Sequence, residues 1–163
     1  MQHKGNGVVR IAIAASSDGD VHPGHFAHAP RFRIYKYGFD GSPELLEVRD
    51  NPLGQMPDVE DPEEVKKYFE KLGIGLHGKS KYDYLRENVL PDVDVVVCYD
   101  ACPTSVKVFE ESGVRVLFTP PATVDEIVDY IAGNPQEFKR LLETKEDEEE
   151  DYYTGHHGCG CAY

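Results

Sequence analysis

The chain has 163 residues, 40% of them hydrophobic and 29% charged, the size and make-up of one ordinary domain with its own core. Its net charge of −13 repels nucleic-acid phosphates and argues against DNA or RNA as a partner, and no stretch approaches the roughly 20 apolar residues of a membrane span. The apolar run over residues 8–15 carries Arg10 and no cleavage pattern, so it reads as a strand rather than a signal peptide, and the expected location is the cytoplasm.

In chain order, residues 8–15 form a near-continuous apolar, β-branched run, the mark of a strand buried on both faces. Residues 16–30 are a Ser/Asp/Gly/His/Pro loop with three histidines, long enough to suggest a function. Residues 31–37 alternate basic and apolar side chains, a half-buried strand. After a turn, residues 44–49 read as a third strand pairing with the second and ended by Asn51-Pro52. Asp61, Pro62 and Glu64 open a helix that runs to about Leu72, and a second helix, capped by Ser80, spans 81–88. Residues 93–98 give the strongest strand signal, expected to be central and parallel because helical segments flank it. Then come a helix over 103–112 with Val106 and Phe109 on one face, a strand over 114–118, a helix opened by the Thr123/Glu126 capping box, and a last helix from Pro135 to about Thr144. The order β-β-β-α-α-β-α-β-α-α predicts an α/β domain over 1–144, a mixed sheet with helices on its faces. Residues 145–163 read as a tail, acidic and then Gly/His/Cys-rich, expected to be disordered without metal. Seven carboxylates and one lysine fall within 143–151, a pattern that usually means a solvated segment.

Three clusters carry metal-ligand chemistry. His22, His25 and His28 lie within seven residues of one loop, where imidazoles can converge without helical spacing; an exposed polar loop is the other reading. Cys98 and Cys102 flank the end of the strongest strand. Cys98 is either a small core residue or a ligand, while Cys102 precedes a helix, where a thiol loses its proton more easily. In a cytoplasmic chain these are expected to be thiols or metal ligands rather than structural disulfides. His156, His157, Cys159 and Cys161 make an adequate soft donor set separated by glycines, or a tail that picks up metal adventitiously. No G-x-S-x-G, P-loop or H-E-x-x-H pattern is present. Asp18, Asp20 and Asp100, near strand ends, leave room for Mg²⁺-dependent hydrolysis only if two carboxylates converge.

The run Ile11-Ala12-Ile13-Ala14-Ala15, followed by His25-Phe26-Ala27-His28-Ala29-Pro30-Arg31-Phe32, resembles the dinitrogenase iron–molybdenum cofactor biosynthesis family. The later stretch Val93-Asp94-Val95-Val96-Val97, then Ser112-Gly113-Val114-Arg115-Val116 and the capped helix at Thr123, fits the same pattern in the same order. The resemblance covers about residues 8–132. It implies a ribonuclease-H-like layered fold with a mixed five-stranded sheet, cluster binding without enzymatic turnover, and a family histidine at His25. Two positions depart from the pattern. Ala27 stands where glycine is usual, so a Cβ there restricts backbone approach to a cluster, and Tyr99-Asp100-Ala101-Cys102-Pro103 replaces a glycine-rich turn.

The leading expectation is therefore a non-enzymatic binder or carrier of an iron–sulfur or molybdenum–iron–sulfur cluster, with cluster donor or acceptor proteins as partners. His25, Phe26, His28 and Cys102 would hold the cluster, and His22 with the four tail residues would add metal ligands, binding zinc or iron on the tail. The competing readings are iron-sulfide storage by metal-induced assembly of copies through the Cys-rich tail, a metal-dependent hydrolase, and a zinc-binding module.

Overall fold

The structure is a computed structural model that describes residues 7–55, 67 and 82–143. Five strands, β1 (Val9–Ala15), β2 (Arg31–Tyr37), β3 (Glu44–Asp50), β4 (Val95–Cys98) and β5 (Arg115–Phe118), form one sheet in the order β3-β2-β1-β4-β5. The first three are antiparallel neighbours, while β1, β4 and β5 run parallel. This is the mixed sheet of the ribonuclease-H-like α/β class. Three α-helices follow among the described residues: α1 (Pro103–Glu111), α2 (Val124–Gly133) and α3 (Pro135–Glu143).

The apolar run of β1 is explained by its place. Ala12 and Ala14 face a layer containing Phe26, Phe32, Ile34, Val96 and Phe109. Val9, Ile11 and Ile13 face the opposite layer, closed by Ile127 and Ile131 of α2 and Phe138 of α3. Each fully buried Val, Ile or Phe side chain among these contributes about 1.5–3 kcal/mol. The expected capping box forms: the Thr123 hydroxyl accepts from Glu126 N–H at 3.1 Å, and the Glu126 carboxylate accepts from Thr123 N–H at 2.9 Å.

Two details differ from the sequence reading. The strand expected over 93–98 starts at Val95, because Asp94 turns back on Arg10: its carboxylate accepts the Arg10 N–H and its own N–H donates to the Arg10 carbonyl, both at 2.9 Å. The helix expected over 81–88 widens into a π-helix at Leu85–Val89, closed by Leu90 N–H on the Leu85 carbonyl at 2.9 Å. That wider turn buries Leu85, Val89 and Leu90 together. The loop over 16–30 is pinned at several points. Isolated bridges join Ala15 to Val21, Asp20 to Thr123 and His25 to Asp100, and a 3-10 turn spans Phe26–His28. The helix expected from Asp61 to about Leu72 (Lys67 apart), His77, and the tail with His156, His157, Cys159 and Cys161 lie outside the described residues.

Candidate functional site at the carboxyl ends of the parallel strands

The carboxyl ends of β1, β4 and β5 open onto one rim, the place where open α/β sheets bind ligands. Three segments build it. Residues 16–25 follow β1, residues 99–102 follow β4, and residues 119–123 lead into α2. Main-chain hydrogen bonds lock them together. Val21 N–H donates to Ala122 O, Val124 N–H to Gly19 O, and His22 N–H back to Ala14 O, each at 2.9 Å. Between the segments lies a cleft of about 640 Å³, lined by Asp18, Asp20, Pro23, Tyr99, Thr123 and Glu126 among others.

His25 sits where the first and second segments meet. Its backbone forms a parallel bridge with Asp100, Phe26 N–H donates to the Asp100 carbonyl at 3.0 Å, and its Nε2 lies 3.4 Å from Asp100 Oδ2. Both side chains remain about a quarter exposed, at 22% and 25%. His22 is half-buried beside it, and its Nε2 packs over Gly24, where a Cβ would meet it at 3.1 Å. Burial, and then the nearby His25, lower the pKa of His22. Both effects favour the neutral imidazole, the form that ligates metal.

The other sequence candidates take different places. Phe26 is fully buried and stacks edge-on against Phe109 with ring centroids 5.2 Å apart, so its ring anchors the loop from below. Ala27 is also buried in that layer; its Cβ points into the core and does not crowd the rim. His28 closes the 3-10 turn, donating its N–H to the His25 carbonyl at 3.0 Å, and is half-buried. Cys98 is a buried free thiol, 3.7 Å from the Leu117 carbonyl, and burial pushes its pKa well up. This is the core reading of the two offered above. Cys102 caps α1 close to His25 in the chain path through Asp100, but its sulfur is buried, 2.8 Å from the Tyr82 hydroxyl.

The carboxylates are used one at a time. Asp18 accepts from Ser16 Oγ at 2.6 Å and from Asp20 N–H at 3.2 Å, which lowers its pKa. Glu126 serves the capping box, and Asp100 accepts from Ala101 N–H at 2.9 Å. Among the described residues no three His, Cys, Asp or Glu side chains gather into a group able to hold a metal ion by themselves. The rim thus supplies a pair of neighbouring imidazoles and one carboxylate partner, rather than a closed cation cage.

Two contributors escaped the sequence reading. Asn51, fully buried, donates from Nδ2 to the carbonyls of Ala27 and Ala29 at 2.9 and 2.8 Å and accepts from Leu53 N–H at 3.2 Å. Gly54 passes so close to the same segment that a Cβ would lie 2.3 Å from the Ala29 carbonyl oxygen. Together they hold the histidine loop from the side of β3. The only sequence signal was an Asn-Pro pair, which reads as a strand end.

A mixed sheet in this order, with a histidine loop seated on the loop after its second parallel strand, defines an α/β protein of the ribonuclease-H-like class. Residues 7–133 match the family model described as dinitrogenase iron-molybdenum cofactor, and the chain belongs to that family. Among solved structures it is similar to the one titled "Crystal structure of PH0822", at 15% identity and a TM-score of 0.47 over 77% of this chain and 91% of that chain. No curated protein matches the chain.

Proposed function

We propose that this chain binds an iron–sulfur or molybdenum–iron–sulfur cluster as cargo, in the cytoplasm, and passes it between a donor and an acceptor protein without turning it over. Membership of the iron–molybdenum cofactor family supports a place in the biosynthesis of that cofactor. The observation that carries the reading is His25 at the rim, part-exposed, with its backbone and imidazole both fixed against Asp100. A fixed imidazole with a carboxylate partner is the arrangement that orients a ligating nitrogen. His22, held neutral beside it, offers a second lone pair to the cluster's metal ions. A rim of two imidazoles holds cargo at few points, which suits transfer better than permanent residence. His28 and Phe26 position the loop, and Cys102 is buried against the Tyr82 hydroxyl.

The test is anaerobic reconstitution of the full chain with ferrous iron and sulfide. Charge-transfer absorption and bound iron are expected, with most of both lost in the double variant His22→Ala/His25→Ala at an unchanged melting temperature. A chain lacking residues 152–163 should keep the signal, whereas storage on the tail through His156, His157, Cys159 and Cys161 would abolish it. Absence of absorption and of bound iron in the unaltered chain, or full retention by the double variant, overturns the reading.

A further inference from the structure

β3 forms one edge of the sheet, and among the described residues no strand pairs with its outer side. Such an edge is a template for another strand. Three of the five exposed large hydrophobic side chains of the described residues lie on it: Leu45, Leu46 and Val48, at 48%, 41% and 47% exposure. Their arrangement is ordered by register. Leu45 and Val48 pair with Tyr35 and Arg33, while Glu44, Glu47 and Arg49 pair with Lys36, Ile34 and Phe32. Alternation across β2 therefore sends Leu45, Val48 and Asp50 to one face of the edge and Glu44, Glu47 and Arg49 to the other. Leu46 is the extra residue where the register shifts, which leaves Glu47–Asp50 as the regular stretch.

The outermost charges are carboxylates. Glu47 and Asp50 are 52% and 83% exposed; Glu47 accepts from Arg49 Nη2 at 2.9 Å and Asp50 lies 3.6 Å from Arg31 Nε, while the Arg49 guanidinium, only 18% exposed, is turned inward onto Asp92 at 2.8 Å for both contacts. Lys36 and Arg31 sit one strand further in. A second copy of this chain is a poor occupant. A two-fold axis normal to the sheet keeps like faces together, and the register centred on Glu47 sets that carboxylate against its own copy. Like charges directly opposite destabilise a strand pair.

We propose that the β3 edge is the docking site for a partner protein's extended segment with apolar side chains on one face and lysine or arginine on the other, which adds a strand beside Glu44–Asp50. Main-chain hydrogen bonds hold it, Leu45 and Val48 receive its apolar face, and Glu44 and Glu47 receive its cations. The inference does not rest on cluster binding.

The probe is an eight-residue capped peptide of alternating lysine and valine, titrated into the ¹⁵N-labelled full chain. Shift changes confined to residues 44–50 and their β2 neighbours are expected, with slowed amide exchange along β3. The glutamate–valine counterpart should not bind, and the double variant Glu44→Lys/Glu47→Lys should bind about tenfold more weakly, the scale of two exposed charge pairs. Methylating alternate peptide nitrogens, which removes ladder donors but keeps charge, should abolish binding. Equal binding of the methylated peptide, shifts spread over the acidic surface, or β3 shifts that appear on concentrating the chain alone each overturn the proposal; the last outcome would make the edge a self-association surface.

Discussion

His25 and Asp100 are joined twice, by backbone bridge and by side chain, with Nε2 3.4 Å from Oδ2. The two links separate orientation from folding. The bridge and the Phe26 N–H bond to the Asp100 carbonyl use only main-chain atoms and survive any side-chain change at 100. The variant Asp100→Ala should therefore lose no more than about 1 kcal/mol of stability, as a part-exposed ion pair does. Its imidazole, no longer oriented, should bind less iron on reconstitution, and Asp100→Asn should recover part of it. Urea titration and bound-iron analysis on the same preparations check both halves; an Asp100→Ala protein that binds iron as well as the original refutes the orienting role.

Asn51 makes a sharper demand on stability. Its side chain is fully buried and satisfies two carbonyls and one N–H around the histidine loop. Asn51→Ala removes the donors and strands the carbonyls of Ala27 and Ala29 in the core. A cost of about 2–3 kcal/mol follows from leaving buried acceptors unpaired, read as a lower urea midpoint at constant slope. Asn51→Asp should be worse, because an ionised carboxylate donates nothing to either carbonyl and is buried besides.

Much of this architecture was legible beforehand. The two-sided burial of β1 writes itself as an unbroken apolar run, and the Thr123/Glu126 box marks the start of α2 to the residue. The parallel placement of 93–98 follows from its flanking helices. What the sequence did not carry is the way distant residues meet. Nothing local to Asn51 says that its amide reaches 24 and 22 residues back along the chain to Ala27 and Ala29. Nothing local to Cys102 says that its sulfur turns inward to Tyr82. The spacing of the three histidines was visible, but which of them faces the rim depends on the 3-10 turn and on Phe26 burying itself against Phe109. The edge character of β3 was hidden for another reason: its leucines look like core until the strand order is known.

Asp92 sets the acid limb of stability. Hydrogen bonds from Arg49, then the Arg49 charge and a further bond from Arg10, outweigh burial and hold its carboxyl at about 2, against an ordinary 3.8. The folded state thus releases this proton more readily than the unfolded chain. The resulting stabilisation is complete above about pH 4 and is lost as pH falls through 2. Because the group is a third exposed, screening reduces its worth to about 1 kcal/mol. Asp92→Asn should be less stable than the original at pH 6 and equal to it near pH 2, measured by urea midpoints across that range. A difference that stays constant with pH would show that packing, not charge, is what the substitution removes.

The buried pair Arg115–Glu110 tests whether a charge in this core supports the fold or merely tolerates it. Arg115 Nη1 lies 3.0 Å from Glu110 Oε1, both side chains only 7% exposed, and Arg115 Nε reaches the Leu141 carbonyl of α3 at 3.4 Å. The second carboxylate oxygen accepts Val116 N–H at 3.1 Å, so Glu110 ties α1 to β5 as well as neutralising the arginine. Arg115→Met alone removes the guanidinium that neutralises a buried carboxylate and should cost about 3–5 kcal/mol. Adding Glu110→Leu removes that charge but strands the Val116 N–H, so about 1–3 kcal/mol of the loss should remain. Adding Glu110→Gln instead keeps an acceptor for Val116 without a charge, and this double variant should come closest to the original in urea. If the leucine and glutamine doubles are equally stable, the Val116 hydrogen bond contributes nothing, and the pair is held by its charges alone.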